Sequence, residues 1–274
     1  MRNLIKADLK RVWKDKLFIV LLILAGVFAV ITPVLYKVIF ATSSPEELQE
    51  LSTLIGPLNS AKTQFFTSFS PSNNFGMILP ILLAIILCKD FSHGTIRNKV
   101  ICGKSRTKIY FSLFLTCAIY MFALILLQAL LTLAISLLFF EYQAAGFSAS
   151  DFGYLMASIA LEFVVYLFIG ALLIFMIVST KNAGIAIVFF FAVNFLFQII
   201  GAVTSVAILF TDPTTASYET LQFFNNANMF TSTLIGGGMS YTGTDLLTIL
   251  LPNIILAAGL IFSGLMIFRK KDLK

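Results

Sequence analysis

The chain has 274 residues, 59% of them hydrophobic and 12% charged, with a mean hydropathy of +0.96. Such a composition excludes a soluble globular domain and leaves an integral membrane protein, with length for about six spans of roughly 20 to 25 residues each. A net charge of +6 would suggest nucleic acid in a soluble protein, but the basic residues sit where a membrane topology needs them, so no nucleic-acid partner is expected.

Residues 1–16 read as a basic amphipathic helix. Leu4, Ile5, Leu9, Val12 and Trp13 recur at three- and four-residue steps, while Arg2, Lys6, Lys10, Arg11 and Lys14 fill the other face. This pattern predicts a helix lying in the headgroup plane with the lone Trp at interface depth. The apolar run that follows is longer than the roughly 7 to 15 residues of a secretory signal core, so it is read as a span.

Six spans are expected, at 17–40, 73–88, 109–140, 153–178, 183–210 and 245–268. The first contains Pro33, with Lys37 near enough to its end to snorkel; the second carries Pro80 mid-run. Between them Ser44-Pro45-Glu46-Glu47 has the form of a capping box, and Leu48, Leu51, Leu54 and Ile55 follow at helical spacing before Gly56-Pro57. A short amphipathic outer helix is predicted there. Residues 141–152 read as an acidic turn, and Ser179-Thr180-Lys181-Asn182 as a tight turn. The segment 211–244 mixes polar residues with Phe223, Phe224, Met229, Phe230 and the run Gly236-Gly237-Gly238, which suggests partial re-entry or a helical hairpin at the outer surface.

Orientation follows from Lys and Arg. All but Lys37 and Lys62 of the 19 lie in residues 1–16, in 89–108, at Lys181 or in the tail. The positive-inside rule puts these segments and both termini in the cytoplasm of a cell with a plasma or inner membrane, and an even span number agrees. Cys88, Cys102 and Cys117 fall at or near that side and are expected as reduced thiols. With one His, His93, and no Cys pair at ligand spacing, no metal is expected in this chain.

The polar island at 89–108 interrupts two apolar runs. Its core reads as a short helix: Ser92 or Thr95 can cap it, Gly94 allows a tight entry, Ile96 and Val100 share one face, and Arg97 and Lys99 point elsewhere. Two apolar knobs flanked by cations suit a groove in another protein; an ordinary solvated basic loop is the alternative.

The string Asp90-Phe91-Ser92-His93-Gly94-Thr95-Ile96-Arg97-Asn98-Lys99, followed by Gly103-Lys104-Ser105-Arg106, resembles the cytoplasmic loop of type 2 ATP-binding cassette (ABC) exporter permeases. The whole plan of amphipathic first helix, six spans and inward termini is similar to that family as well. The resemblance implies an all-α permease subunit, itself not an enzyme, in which Phe91, Gly94, Thr95, Ile96, Arg97, Asn98 and Lys99 form a coupling helix docked on an ATPase subunit. It further implies two ATPase copies binding ATP and Mg, a second permease chain, identical or not, and membrane lipid around them. Gly103-Lys104-Ser105 looks like the end of a P-loop, but Asn98 stands where the loop needs its first Gly, and no strand is predicted before it. No cofactor is therefore expected in this chain.

Glu162 falls within the fourth span, where a central acid costs about 3 kcal/mol on insertion scales. Asn194 and Gln198 are one turn apart in the fifth, Gln128 lies in the third, and Asn253 in the sixth. Glu162, Asn194 and Gln198 are candidates for a cargo path or subunit interface. Their alternative role is an interhelical hydrogen-bond network at about 0.6 kcal/mol per contact. Family likeness and the Phe-rich spans together favour export of amphipathic or antimicrobial peptides, with drugs, lipids or ions as other cargo, or a non-transporting sensor or scaffold in place of a transporter.

Overall fold

A computed structural model describes residues 1–43, 60–71, 75–142, 146–230 and 243–271. Ten α-helices lie among them: α1 (Arg2–Trp13), α2 (Lys16–Thr42), α3 (Ala61–Thr67), α4 (Ile78–Ser92), α5 (Thr95–Ile101), α6 (Arg106–Phe139), α7 (Ala149–Thr180), α8 (Ala183–Leu209), α9 (Ala216–Ala227) and α10 (Gly243–Lys270). No strand occurs among the described residues. The capping box at 44–47, the outer helix expected through Ile55, residue Asn73 and the run 236–238 lie outside those residues.

Five helices, α2, α6, α7, α8 and α10, are long and apolar enough to cross a membrane, and α4 with α5 makes a sixth candidate bent by 51° at the break between them. The protein is an all-α, multi-pass membrane protein.

α7 is the axis of the bundle. Its central window is 83% buried inside the protein, against 17% for α8 and α10, 28% for α2 and 33% for α6. Leu161, Val165, Tyr166, Ile169 and Leu173 are enclosed by neighbours. Outer helices instead turn residues such as Val188, Phe195, Val203 and Phe262 outward, an apolar surface suited to lipid tails. α10 packs along α7 more extensively than any other pair, and α2 lies along α6.

Local chemistry sets the helix limits, and several differ from expectation. The second span begins in a 3-10 turn at Phe75–Met77 and continues as α4 to Ser92, so Lys89 to Ser92 belong to the helix and not to a loop. Pro80 occupies its first turn, where a missing N–H costs nothing. The acidic turn is shorter than expected, because Ser148 and Asp151 form a capping box that starts α7 at Ala149. In the segment between α8 and α10 Thr215 caps α9 by accepting from the Tyr218 N–H. Asn182 caps α8, accepting from the N–H groups of Gly184 and Ile185.

Hydrogen bonds tie each end of the bundle. At the basic end Arg106 donates to the carbonyls of Arg269 (2.8 Å) and Lys271 (2.7 Å), and Lys271 donates to the carbonyls of Val178 (3.2 Å) and Ser179. At the opposite end α3 is pinned between α6 and α7. The Ala61 N–H donates to the Glu141 carbonyl (3.0 Å), Ser136 Oγ to Gln64 Oε1 (2.7 Å), and Lys62 pairs with Asp151 (2.5 Å).

Candidate functional site

At the basic end α4 and α6 make a helical hairpin with α5 as the short arm between them, bent 51° from the line of α4. Two glycines bracket that arm. Gly94 has φ 67, a left-handed conformation that Gly adopts without a Cβ penalty, and it precedes Thr95 as the helix N-cap. Gly103 has φ 75 and closes the other end in a Schellman motif: its N–H donates to the Val100 carbonyl (2.9 Å) and the Lys104 N–H to that of Lys99 (3.1 Å). Ser105 then caps α6 by accepting from the Lys108 N–H. Gly103-Lys104-Ser105 is thus a turn between two helices.

Expected capping residues are corrected here. Ser92 donates its hydroxyl back to the Cys88 carbonyl at 3.0 Å, and no side chain caps α5. The orientation of the knobs is corrected too. Ile96 is 2% exposed and belongs to the core, so it is not free for a partner, while Val100 is half-buried against that core. Lys99 also turns inward, to an ion pair. What α5 presents outward is Arg97, Asn98 and Ile101, the last 72% exposed, with His93 beside the entry turn. Phe91 and Thr95 are half-buried at its base.

Three ion pairs clip α1 to this hairpin. Asp8 pairs with Lys99 of α5 (2.5 Å) and accepts a hydrogen bond from Ser112 Oγ of α6 (2.6 Å). Arg11 pairs with Asp90 of α4, and Asp15 with Lys89 (2.6 Å). Signs alternate as acid, base, acid at positions 8 and 11 of α1 and at Asp15, the cap of α2, so a shift of one turn would oppose like charges. Asp8 and Asp90 are each 1% exposed, so two of the three pairs hold a buried acid, whereas the Lys89–Asp15 pair is partly open to solvent. Tyr120 of α6 adds a hydrogen bond to the Leu9 carbonyl (2.5 Å).

On α1 itself, Leu4, Ile5, Leu9 and Val12 face the protein, whereas Trp13 is 62% exposed, its ring tilted against that of Phe18 of α2 at 5.0 Å between centroids. Asp15 also accepts from the Leu17 N–H, capping α2. Burial pushes its carboxyl up, but hydrogen bonds from Lys89 and Leu17 and the nearby cations outweigh that and hold it below the ordinary value. Its contribution to stability is therefore present at neutral pH and lost only as pH falls through that lowered value.

Sequence reasoning missed Asp8, Asp15, Lys89 and the pairing role of Asp90. One signal was available: Asp8 stands on the apolar face of an otherwise basic helix, where a charge needs a partner.

The polar residues of the spans are not joined as a network around Glu162. That residue lies near the middle of α7, fully buried, and among the described residues neither carboxylate oxygen has a hydrogen-bond partner. Asn194 of α8 is 5% exposed with its Nδ2 likewise without an acceptor, and Gln198 is half-buried. No hydrogen bond joins Glu162 to Asn194. Asn253 is satisfied, donating to the carbonyls of Ile249 (2.7 Å) and Ala227 (3.2 Å).

A family profile described as a protein of unknown function, DUF2705, matches residues 53–274, which takes in α3 to α10 but neither α1 nor α2. No curated protein matches the chain.

Proposed function

We propose that this chain, which belongs to the DUF2705 family, is the membrane-spanning permease subunit of an ATP-driven exporter. In this reading α5 is the coupling helix, and a separate ATPase subunit holds ATP and Mg. The observation that carries the reading is the clipped hairpin. A solvated basic loop has no use for buried charge pairs, whose desolvation is unfavourable unless geometry and further hydrogen bonds offset it. A helix that must receive thrust and pass it to membrane spans does need rigid attachment.

α5 has that attachment on three sides: to α4 through Gly94, to α6 through the Schellman turn, and to α1 through Lys99 and Asp8. Its outward face of Arg97, Asn98 and Ile101 offers one apolar anchor between polar groups, the composition of a small docking site. Two permease chains, alike or different, and two ATPases would complete the assembly. Amphipathic peptides fit best as cargo, with the buried carboxylate of Glu162 and the amide of Asn194 as polar groups that a cationic segment would meet in passage.

The test is co-purification with an ATPase encoded in the neighbouring reading frame, followed by ATP turnover in lipid with and without amphipathic peptides. A stable complex with peptide-stimulated turnover is expected. An ATPase that fails to bind the full chain overturns the exporter reading, and one that binds but never responds to peptides, drugs or lipids leaves a sensor or scaffold in its place.

A further inference from the structure

The same end of the molecule holds a second feature, independent of the exporter reading. Met1, Arg2, Asn3 and Leu4 of the α1 start, with Lys104 and Lys108 from the α6 start, line an open surface cleft of about 260 Å³, in which Arg2, Lys104 and Lys108 are exposed. A water molecule occupies about 30 Å³ of liquid, so this space admits a polyatomic ligand. None of the lining residues is acidic.

Charge in this region is otherwise matched. Arg11, Lys89 and Lys99 each have a carboxylate, whereas Arg2, Lys104 and Lys108 have no ion-pair partner among the described residues and converge on one space. They also stand at two helix starts. α1 has no side-chain cap and no acid in its first turn, and the first turn of α6, which contains Lys108, has no acid either. Cations at the positive ends of helix dipoles repel those dipoles, and a bound anion relieves both repulsions at once.

We infer that Arg2, Lys104 and Lys108, gathered where the starts of α1 and α6 meet, form a binding site for a phosphate group, that of an anionic phospholipid headgroup or of a free phosphate ion. The guanidinium of Arg2 offers a planar fork for two phosphate oxygens, the lysines act as point charges, and the Asn3 amide is a neutral donor. Leu4 gives the cleft an apolar side, against which the glycerol end of a lipid would rest.

The experiment follows lipids retained by the full chain in native mass spectrometry. The protein is released from bilayers of phosphatidylcholine mixed with phosphatidylglycerol. Wild type is expected to keep phosphatidylglycerol selectively, and the triple variant Arg2→Gln, Lys104→Gln, Lys108→Gln to lose about a hundredfold in that preference, from roughly fivefold per cation. Lys6→Gln, Lys10→Gln, Lys14→Gln removes the same charge from exposed positions on α1 and at its C-terminal cap. An equal loss there means diffuse surface attraction and overturns the site.

In a second arm, inorganic phosphate is titrated into lipid-free protein in detergent. Stabilisation of wild type but not of the triple variant, with lipid retention the same in both, assigns the site to soluble phosphate. No difference between wild type and triple variant in either arm overturns the proposal. Should the triple variant fail to fold, Lys108→Gln alone and Lys108→Arg take its place, with loss expected in the first and retention in the second.

Discussion

Replacing Lys99 by Met tests whether the clip holds the hairpin. The substitution keeps most of the aliphatic stem but leaves Asp8, 1% exposed, with only the Ser112 hydroxyl for its charge. Removing one partner of a buried pair costs about 3 to 5 kcal/mol. The Lys99 side chain is 13% exposed, so solvent screens part of the interaction, and the lower end, about 3 kcal/mol, is expected. Asp8→Asn should cost less, about 1 to 2 kcal/mol, since the amide still hydrogen-bonds to Ser112 and Lys99 can reach water. The double variant should be milder than Lys99→Met alone, because no unpaired charge remains buried, giving a coupling energy of about 2 kcal/mol. The assay is unfolding by SDS titration in mixed micelles. Additive effects, or a cost below about 0.5 kcal/mol for Lys99→Met, would refute the claim that this pair fastens α1 to α5.

Three further outcomes are expected. Ile101→Asp and Arg97→Glu should leave unfolding within about 0.5 kcal/mol of wild type yet weaken ATPase co-purification by at least about tenfold, whereas Ile96→Asp should prevent folding; normal ATPase binding by both outward variants would discard the docking face. Glu162→Gln exchanges a fully buried carboxyl group with no hydrogen-bond partner among the described residues for a neutral amide of the same shape, so the assembled protein should stay within about 1 kcal/mol of wild type. A loss of more than about 1 kcal/mol would reveal a partner, and unchanged peptide export would end any role for its carboxyl group in cargo handling. Gly264→Ala should destabilise by about 1 to 3 kcal/mol through overpacking. The new Cβ would sit 2.4 Å from the Tyr110 hydroxyl, and adding Tyr110→Phe should restore most of the loss if that contact is the cause.

The spans were legible because apolar runs bounded by polar turns leave little choice in a membrane, and the structure moves most boundaries by only a few residues. Lys89 to Ser92 were misread for a physical reason: a helix leaving the bilayer changes composition before it changes conformation. The face of α5 was half legible. Ile96 and Val100 at four-residue spacing announce an apolar side, but the same pattern serves a partner or the chain's own core, and only tertiary structure shows that the core took them. Arg97 and Ile101 share that spacing on the other side. The clip was least legible, since Asp15, Lys89 and Asp90 resemble ordinary loop charges, and their pairing spans more than 70 residues of sequence. Glu162 was readable as a cost, but its lack of a partner was not.

The enclosure of α7 bears on how the protein is made. Its most extensive neighbour is α10, which leaves the ribosome well after α7 does, and until that helix inserts one flank of α7 has only lipid or insertion machinery for company. The nascent chain therefore passes through a long interval in which quality-control proteases can recognise it as incomplete. Substitutions that slow the entry of α10, even without altering the finished fold, would show themselves as reduced abundance in the cell.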